Sequence, residues 1–501
     1  MQLTQLLDRI QPLAVHGTVD GRGVSRLVFD SRKAGPGAVF VAVKGTQVDG
    51  HDYIEKALEA GTDMMVGEDA GAMKLVREKV GGEYPNAVWI EVASSSTALA
   101  KAACTFYGDP SQQLTLVGVT GTNGKTTVTT LLYDLFTGLG YKCGLLSTVN
   151  VRIGKEAVTA THTTPDAVAI NANLAAMVDV GCDYCFMEVS SHAVHQNRTA
   201  GLHFTGGVFT NLTHDHLDYH GTFRDYLEAK KSFFDGLPKT AFALSNADEK
   251  NGQVMLQNTS AKKRYYSLRK VVDYRGKVLT DSPQGLQLEI DGTEVFTRLL
   301  GRYNAYNLLA VYGVAQELGV EKEEALITLS SLTAPAGRLE HVVDPTGRLT
   351  ALVDYAHTPD ALQNVLQTLK DLLAPGAELI CVVGAGGDRD KTKRPEMARI
   401  ATNLADKVIL TSDNPRSENP AAILDDMEAG LPTPSASSGL ALRIAERRAA
   451  IQTAVQLAKP GDVVLVAGKG HETYQEIKGV RHPFDDRAEL AAALNRRQHV
   501  S

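Results

Sequence analysis

Cysteine is scarce in this chain, five in 501 residues. So few thiols do not make a disulfide framework. Cys182 and Cys185 form a C-x-x-C, but no second pair stands near them to complete the roughly four ligands of a zinc site. They read as two small core residues entering a strand. Long apolar runs are also missing. Nothing approaches the run of about 18 residues that a membrane-crossing helix needs, and the start, MQLTQLLDRIQPL, has neither the basic flank nor the apolar stretch of a signal peptide. There is no basic excess: the formal net charge is −7. That argues against a general nucleic-acid binder, while leaving room for a local basic pocket that takes an anionic small molecule. These absences together predict a cytoplasmic protein in a reducing compartment.

What is there is ordinary globular composition, 43% hydrophobic and 22% charged, on a chain long enough for two to four domains. Residues 1–93 predict a small α/β unit, with VSRLVFDSR and AVFVAVKG as strands and HDYIEKALEAG as a helix. Residues 94–109 predict a helix capped by Ser94, which Pro110 ends before the next strand. From 114 to about 337, the segments LTLVGV, KCGLLSTV, YCFMEV, GGVFT and AFALS are apolar runs that alternate with helical patterns. That pattern suits a parallel sheet buried on both faces. TAPAGRLE (333–340) reads as a hinge. Beyond it, ALVDYAHTPDAL, ELICVVGAGGDRD, KVILTSDNPRSE and DVVLVAGKGHE are apolar strands ending in polar loops, the place where open α/β sheets bind ligands.

The most informative stretch is TGTNGKTT (120–127), between the strand LTLVGV and the helical pattern VTTLLYDLF. A glycine loop opening a helix turns backbone amides and the positive end of the helix dipole toward a polyphosphate. Lys125 can reach the β/γ-phosphates and Thr126 can hold Mg²⁺ through its hydroxyl. Position 119 is Val, so the strict GxxxxGK[ST] pattern is not met. GTNGKT remains, and a phosphate loop alone does not name a reaction.

TGTNGKTT resembles the ATP loop of the Mur ligases and of their relative folylpolyglutamate synthase, ATP-dependent amide-forming ligases. The resemblance assigns Thr120, Gly121, Thr122, Asn123, Gly124, Lys125, Thr126 and Thr127 to ATP. In FMEVSSHAVHQNR (186–198), Glu188 matches the family's magnesium-linked carboxylate. In FTNLTHDHLDYHG (209–221), His216 resembles a second metal ligand, while His214 and His220 remain open between site and loop roles. Lys230 in YLEAKKSFF falls at the family's carbamylated lysine, and Lys231 beside it reads as a solvated helix charge. Two Mg²⁺ ions are implied, held by Thr126, Glu188, His216 and Lys230 as a carbamate. They screen the γ-phosphate of ATP from a substrate carboxylate. Asn304 and Asn307 of GRYNAYNLLA match positions near adenine. Arg338 in GRLE and Asp354 in DYAHTP match positions that reach ATP, a guanidinium suiting phosphate and a carboxylate suiting ribose hydroxyls. GAGG (384–387) is a poor dinucleotide fingerprint, because Arg389 stands where a third glycine belongs.

FDSR (29–32) and KGTQVDG (44–50) resemble the uridine-nucleotide sugar loops of the family branch that adds the third amino acid of the peptidoglycan precursor. HTTPD (162–166) and SSHAVHQNR extend the match. By that resemblance Phe29, Ser31, Thr46, Gln47, Val48, His162, Thr163, Thr164, Ser190, Gln196 and Arg198 contact a UDP-muramoyl dipeptide, UDP-MurNAc-L-Ala-D-Glu. Asp413, Asn414, Pro415 and Arg416 resemble the signature for meso-diaminopimelate. A guanidinium can grip the second carboxylate that lysine lacks, and it would repel an incoming lysine ammonium. Arg389, Gly468 and Glu472 complete that pocket. The resemblance implies catalytic roles for Lys125, Lys230, His216 and Glu188. It also implies a monomer of three α/β domains. These are an N-terminal UDP-sugar domain (1–93), a central ATP-binding domain with a P-loop-type, mostly parallel sheet (94–337), and a C-terminal Rossmann-like amino-acid domain (338–501). A lysine-adding ligase, a folylpolyglutamate synthase-like ligase and a P-loop switch that makes no bond are the alternatives.

Overall fold

The structure is a computed structural model that describes residues 1–45, 48–68, 84–159, 163–213, 215, 217–282, 284–431 and 440–498. Three sheets organise it. The first holds β1 (Ala14–His16), β2 (Arg26–Val28), β3 (Ala38–Val41), β4 (Met64–Gly67) and β5 (Val88–Glu91) in the order β1-β5-β4-β3-β2, antiparallel only at β1. The expected strand through FDSR stops at Val28. The Asp30 carboxylate accepts a hydrogen bond from the Arg32 amide and starts a 3₁₀ turn at Ser31–Lys33 instead. HDYIEKALEAG likewise begins as a 3₁₀ turn, Gly50–Tyr53, and is α-helical only over Ile54–Glu59. The helix expected after Ser94 is present as α1 (Ser95–Phe106), with the Ser94 hydroxyl accepting from the Thr97 amide.

The second sheet has eleven strands. Those in chain order are β6 (Thr115–Thr120), β7 (Cys143–Leu146), β8 (Asn150–Ile153), β9 (Glu156–Thr159), β10 (Tyr184–Glu188), β11 (Gly206–Phe209), β12 (Phe242–Asn246), β13 (Lys262–Ser267), β14 (Tyr274–Ser282), β15 (Gly285–Ile290) and β16 (Thr293–Thr297). The middle, β14-β13-β12-β11-β6-β10-β7, is parallel, and antiparallel hairpins extend both edges. The helices α2 (Lys125–Gly138) and α4 (Arg302–Glu317) cover one face, burying Leu131, Phe136, Leu308 and Val311. On the other, Phe233 and Phe234 of α3 (Phe223–Asp235) pack with Met187 and Phe209. Each such side chain contributes about 1.5–3 kcal/mol of burial. That two-sided burial is why the strands read as unbroken apolar runs. Cys182 and Cys185 are free and buried in this core.

The third sheet runs β17 (Glu340–Val342), β18 (Thr350–Asp354), β22 (Val463–Ala467), β19 (Leu379–Ala385), β20 (Lys407–Ser412) and β21 (Leu440–Arg443), parallel except at β17. Along β19, Cys381 and Val383 enter one core while Ile380 and Val382 enter the other. The flanking helices are α5 (Pro359–Asp371), α6 (Lys393–Leu404), α7 (Pro420–Glu428), α8 (Arg447–Leu457) and α9 (Asp486–Gln498). A small hairpin, β23 (Tyr474–Ile477) and β24 (Val480–Pro483), leans on the loop after β20 through an Arg416–Ile477 bridge. The segment that reads as a hinge is wedged in place. Gly337 has φ +67°, and a Cβ there would lie 2.2 Å from the His471 amide nitrogen.

Candidate active site

The loop after β6 meets α2 at Gly124, whose φ of +88° suits glycine and whose added Cβ would sit 2.7 Å from Asn307 Oδ1. The first helical bond runs from the Val128 amide to the Gly124 carbonyl. The amides of Lys125, Thr126 and Thr127 are therefore left outside the helix ladder, at its positive end. The loop is held from behind. The Asn211 carbonyl accepts from the Thr122 amide, Asn211 Oδ1 accepts from the Asn123 amide at 2.9 Å, and Tyr226 OH lies 3.0 Å from Thr122 Oγ1. Lys125 Nζ donates to the carbonyls of Gly121 (2.9 Å) and Thr122 (2.8 Å), and Lys230 Nζ donates to the same Gly121 carbonyl at 2.8 Å. Burial, with the Lys125 charge adding to it, holds Lys230 well below the usual lysine range. Burial also lowers Lys125. Thr120 is buried at the end of β6.

Glu188 ends β10 with no exposed surface. Its Oε1 accepts from the Thr148 amide at 2.7 Å, while its buried Oε2 has no hydrogen-bond partner. An orphaned carboxylate oxygen this close to the phosphate loop fits a cation. Among the described residues, no three His, Cys, Asp or Glu converge as a complete ligand set. His216, with His214, Thr46, Gln47 and His162, lies outside the described residues. His220 is described: it is buried, its Nε2 2.9 Å from Ser191 Oγ. Lys231 is not the solvated charge the sequence suggests. It is 9% exposed and bonds both oxygens of Asp235, one turn on along α3.

Around Glu188 the expected dipeptide residues knit together. Thr164 Oγ1 donates to the Glu188 carbonyl and accepts from the Ser190 amide; Arg198 donates to the Thr164 carbonyl (2.7 Å) and to Gln196 Oε1. Thr163 Oγ1 accepts from Thr148. Phe29 and Val48, 40% and 52% exposed, and buried Ser31 sit in the N-terminal unit and do not line the central cleft.

The C-terminal ends of the third sheet face the phosphate loop. Arg338 Nη2 lies 3.3 Å from Thr126 Oγ1, and its guanidinium stacks 4.8 Å from the centre of the Tyr355 ring. Asp354 accepts from the amides of Leu339 and Ala356, and burial raises its pKa. Asn304 and Asn307 are buried, the second donating to the first at 2.8 Å. A cavity of about 300 Å³ is lined by Asn123, Gly124, Thr127, Asn304, Asn307, Arg338 and Asp354. A second cavity, about 490 Å³, joins Lys125, Thr126, Glu188, Thr163, Thr164, Ser190 and Arg198 to Arg389, Asp413, Asn414, Arg416, Gly468 and Glu472. Arg416, at φ +50°, donates to the Gly387 carbonyl at 2.7 Å. Pro415 shapes the turn without lining the cavity. Burial pushes Asp413 up, but Lys469 and Arg447 more than offset it, leaving its pKa below the ordinary value.

The contacts of three residues at this site were not read from the sequence. Lys469, fully buried, donates to Asn414 Oδ1 and Glu472 Oε2, each at 3.0 Å. Asp360, on α5, accepts from Asn123 Nδ2 at 2.7 Å and from Thr213 Oγ1 at 3.2 Å. Lys393, opening α6, pairs with Asp215 at 2.7 Å. Only Lys469 had a sequence signal, its place inside GKGHE.

Family profiles match the chain in order: "Mur ligase family, catalytic domain" over 23–107, "Mur ligase middle domain" over 119–315, and "Mur ligase, glutamate ligase domain" over 337–470. A protein of Phocaeicola vulgatus is 54% identical over 93% of this chain and 94% of its own length. The chain belongs to the Mur ligase family. The Phocaeicola protein is named UDP-N-acetylmuramoyl-L-alanyl-D-glutamate–2,6-diaminopimelate ligase, as is one from Cytophaga hutchinsonii, 51% identical over 99% of both chains. A solved structure of a ligase bearing the same name is similar to this Mur ligase with a TM-score of 0.68 and 32% identity, covering 98% of this chain and 99% of that one. No helix among the described residues is long and apolar enough to cross a membrane.

Proposed function

We propose that this Mur ligase joins meso-diaminopimelate to the D-Glu γ-carboxylate of UDP-MurNAc-L-Ala-D-Glu at the expense of ATP, a step of peptidoglycan precursor synthesis. One observation carries the reading. A single cleft brings the phosphate loop, the Glu188–Arg198 cluster and the Arg389–Arg416–Glu472 pocket together. A γ-carboxylate oxygen attacks the γ-phosphorus of ATP and ADP leaves, giving an acyl phosphate. A neutral amine of diaminopimelate attacks its carbonyl carbon, phosphate departs with the C–O bond, and the amine proton is lost to give the amide. No protein nucleophile is needed.

The loop amides and Lys125 bind the phosphates, and Arg338 follows the transferred group. Thr120–Thr127, Asn304, Asn307 and Asp354 hold the rest of ATP. Thr163, Thr164, Ser190, Gln196 and Arg198 orient the dipeptide, with Phe29, Ser31, Thr46, Gln47, Val48 and His162 on the uridine-sugar end. Thr126, the orphaned Glu188 oxygen, His216 and carbamylated Lys230 would hold two Mg²⁺. Such ions supply charge neutralisation between the two reacting anions. Burial biases the Lys230 amine toward its neutral form, the form that carbamate formation requires. Arg416 and Arg389 take the far carboxylate of diaminopimelate and Glu472 its ammonium, on a turn fixed by Asp413, Asn414, Pro415 and Gly468. The labour divides among residues 1–93, 94–337 and 338–501. The expected state is a monomer, and free buried cysteines suit a reducing cytoplasm.

The test is phosphate release from ATP in the presence of UDP-MurNAc-L-Ala-D-Glu, with meso-diaminopimelate or L-lysine as acceptor. Release with diaminopimelate alone is expected. Release with lysine alone would keep the ligase and remove the role given to Arg416. Hydrolysis without either substrate would point to a switch.

A further inference from the structure

The amino-acid pocket is made by two loops that leave adjacent parallel strands, 386–392 after β19 and 413–418 after β20. Each has a non-glycine residue in the left-handed region, Asp388 at φ +54° and Arg416 at φ +50°. Such conformations persist only where the surroundings fix them. Arg394, in the first turn of α6 and 1% exposed, borders the cleft at the base of both loops. Its guanidinium donates to Glu418 Oε2 (3.0 Å) and Oε1 (2.7 Å), to Asp426 Oδ2 (2.8 Å) and to the Gly386 carbonyl (3.3 Å). Glu418 Oε1 also accepts from the Asp388 amide at 2.6 Å. The Asp388 carboxylate accepts from the Ser417 hydroxyl and amide, at 2.6 and 3.1 Å. One buried cation thus ties the loop of Arg389 to the loop of Arg416 through a carboxylate they share.

We propose that Arg394 is a positioning residue for the amino-acid acceptor, setting through Glu418 the spacing between Arg389 and Arg416. This rests on the reading of that pocket as the acceptor site. A forked donor is required: two parallel bonds orient the Glu418 carboxylate, which a lysine would hold by a single point charge. The Arg394 side chain holds Glu418 down at about 2, so the link stays ionised throughout the neutral range. The phosphate loop and the Glu188–Arg198 cluster have no bond to Arg394. Its loss should therefore be felt by one substrate out of three.

The experiment is steady-state kinetics of Arg394→Met, Arg394→Lys and Glu418→Gln, with each substrate varied in turn. Arg394→Met should raise KM for meso-diaminopimelate at least tenfold, about 1.4 kcal/mol. KM for ATP and for the UDP-muramoyl dipeptide should stay within about twofold. Arg394→Lys should rescue part of the rise. A fall in kcat with all three KM values unchanged is the signature of a smaller folded fraction and would overturn the proposal. If Arg394→Met does not fold, the near-isosteric Glu418→Gln decides: a selective rise of about threefold or more supports the clamp, and no rise removes it. Should the parent enzyme use another amino acid, the specificity assigned to Arg416 fails. The clamp is then judged on the KM of that amino acid.

Discussion

Asp486 and Arg447 form an ion pair with no exposed surface on either side chain. Arg447 Nε reaches Oδ1 at 2.8 Å and Nη2 reaches Oδ2 at 2.7 Å. Arg447 Nη2 also donates to the Ala467 carbonyl at 3.0 Å. Ala467 ends β22 immediately before Gly468, so the pair supports the floor of the amino-acid pocket from beneath. Asp486→Asn leaves a guanidinium buried without its counter-charge, which costs about 3–5 kcal/mol. With a urea slope of about 3 kcal/mol per molar, the transition of the C-terminal unit should move down by about 1–2 M. Replacing both partners, Arg447→Met with Asp486→Leu, removes the charge that made the single change expensive. It leaves mainly the Ala467 acceptor unmet, at about 1–3 kcal/mol. The double variant should therefore recover a large part of the loss. Urea unfolding followed by far-UV circular dichroism and by amino-acid-dependent protection gives both numbers. A shift under about 1 kcal/mol for Asp486→Asn, or a double variant weaker than the single one, would refute the reasoning.

Glu188→Gln should cut turnover by about a hundredfold or more and raise the Mg²⁺ needed for half-maximal phosphate release. An unchanged Mg²⁺ titration would detach the orphaned oxygen from metal binding. Asp360→Ala removes the bonds to Asn123 and Thr213 that join α5 to the phosphate loop. KM for ATP should rise about three- to tenfold while KM for the amino acid stays put, and equal changes in both would count against a local effect. Burial first, then the charges of His192, His195 and Lys230, push His220 from 6.5 down to about 4. The unfolded chain therefore binds a proton that the native state refuses between those values. Stability is lost as pH falls through that window and is untouched above it. Urea midpoints of the parent and of His220→Gln should diverge from pH 6.5 downward, and parallel curves would exclude His220 as the source.

What could be read in the sequence was whatever is encoded by neighbours in the chain. β6, β10, β11, β12 and the inner strands of the third sheet, β18, β19, β20 and β22, carry apolar runs because both faces are buried, so their runs and their polar ends mark the sheet and its ligand edge. The phosphate loop is legible for the same reason: glycine, lysine and threonine must stand together there. The failures are of two kinds. FDSR has the composition of a strand end, but a side-chain carboxylate competes for the backbone and wins a turn. Lys231 looks solvated until the helix places Asp235 one turn away in a partly closed space. Contacts such as Asn123–Asp360, 237 residues apart, and Lys393–Asp215, 178 apart, join units that no local spacing brings together.

The way each cation is held separates two jobs within one cleft. Lys125 is anchored on the carbonyls of Gly121 and Thr122, Arg198 on the Thr164 carbonyl and the Gln196 amide oxygen, and Arg416 on the Gly387 carbonyl. Neutral acceptors fix the geometry of a charged group without cancelling its charge, so these three keep their field for phosphates and carboxylates arriving from solution. Arg394, Arg447 and Lys469 are instead spent on carboxylates: Glu418 with Asp426, Asp486, and Glu472. They hold loops, and their removal should register first as misplacement of the groups above them. A chain of net charge −7 can in this way keep a few cations uncancelled in its cleft for polyanionic substrates. The bulk count is set by the surface, and the field inside the cleft is set by which acceptor each cation is tied to.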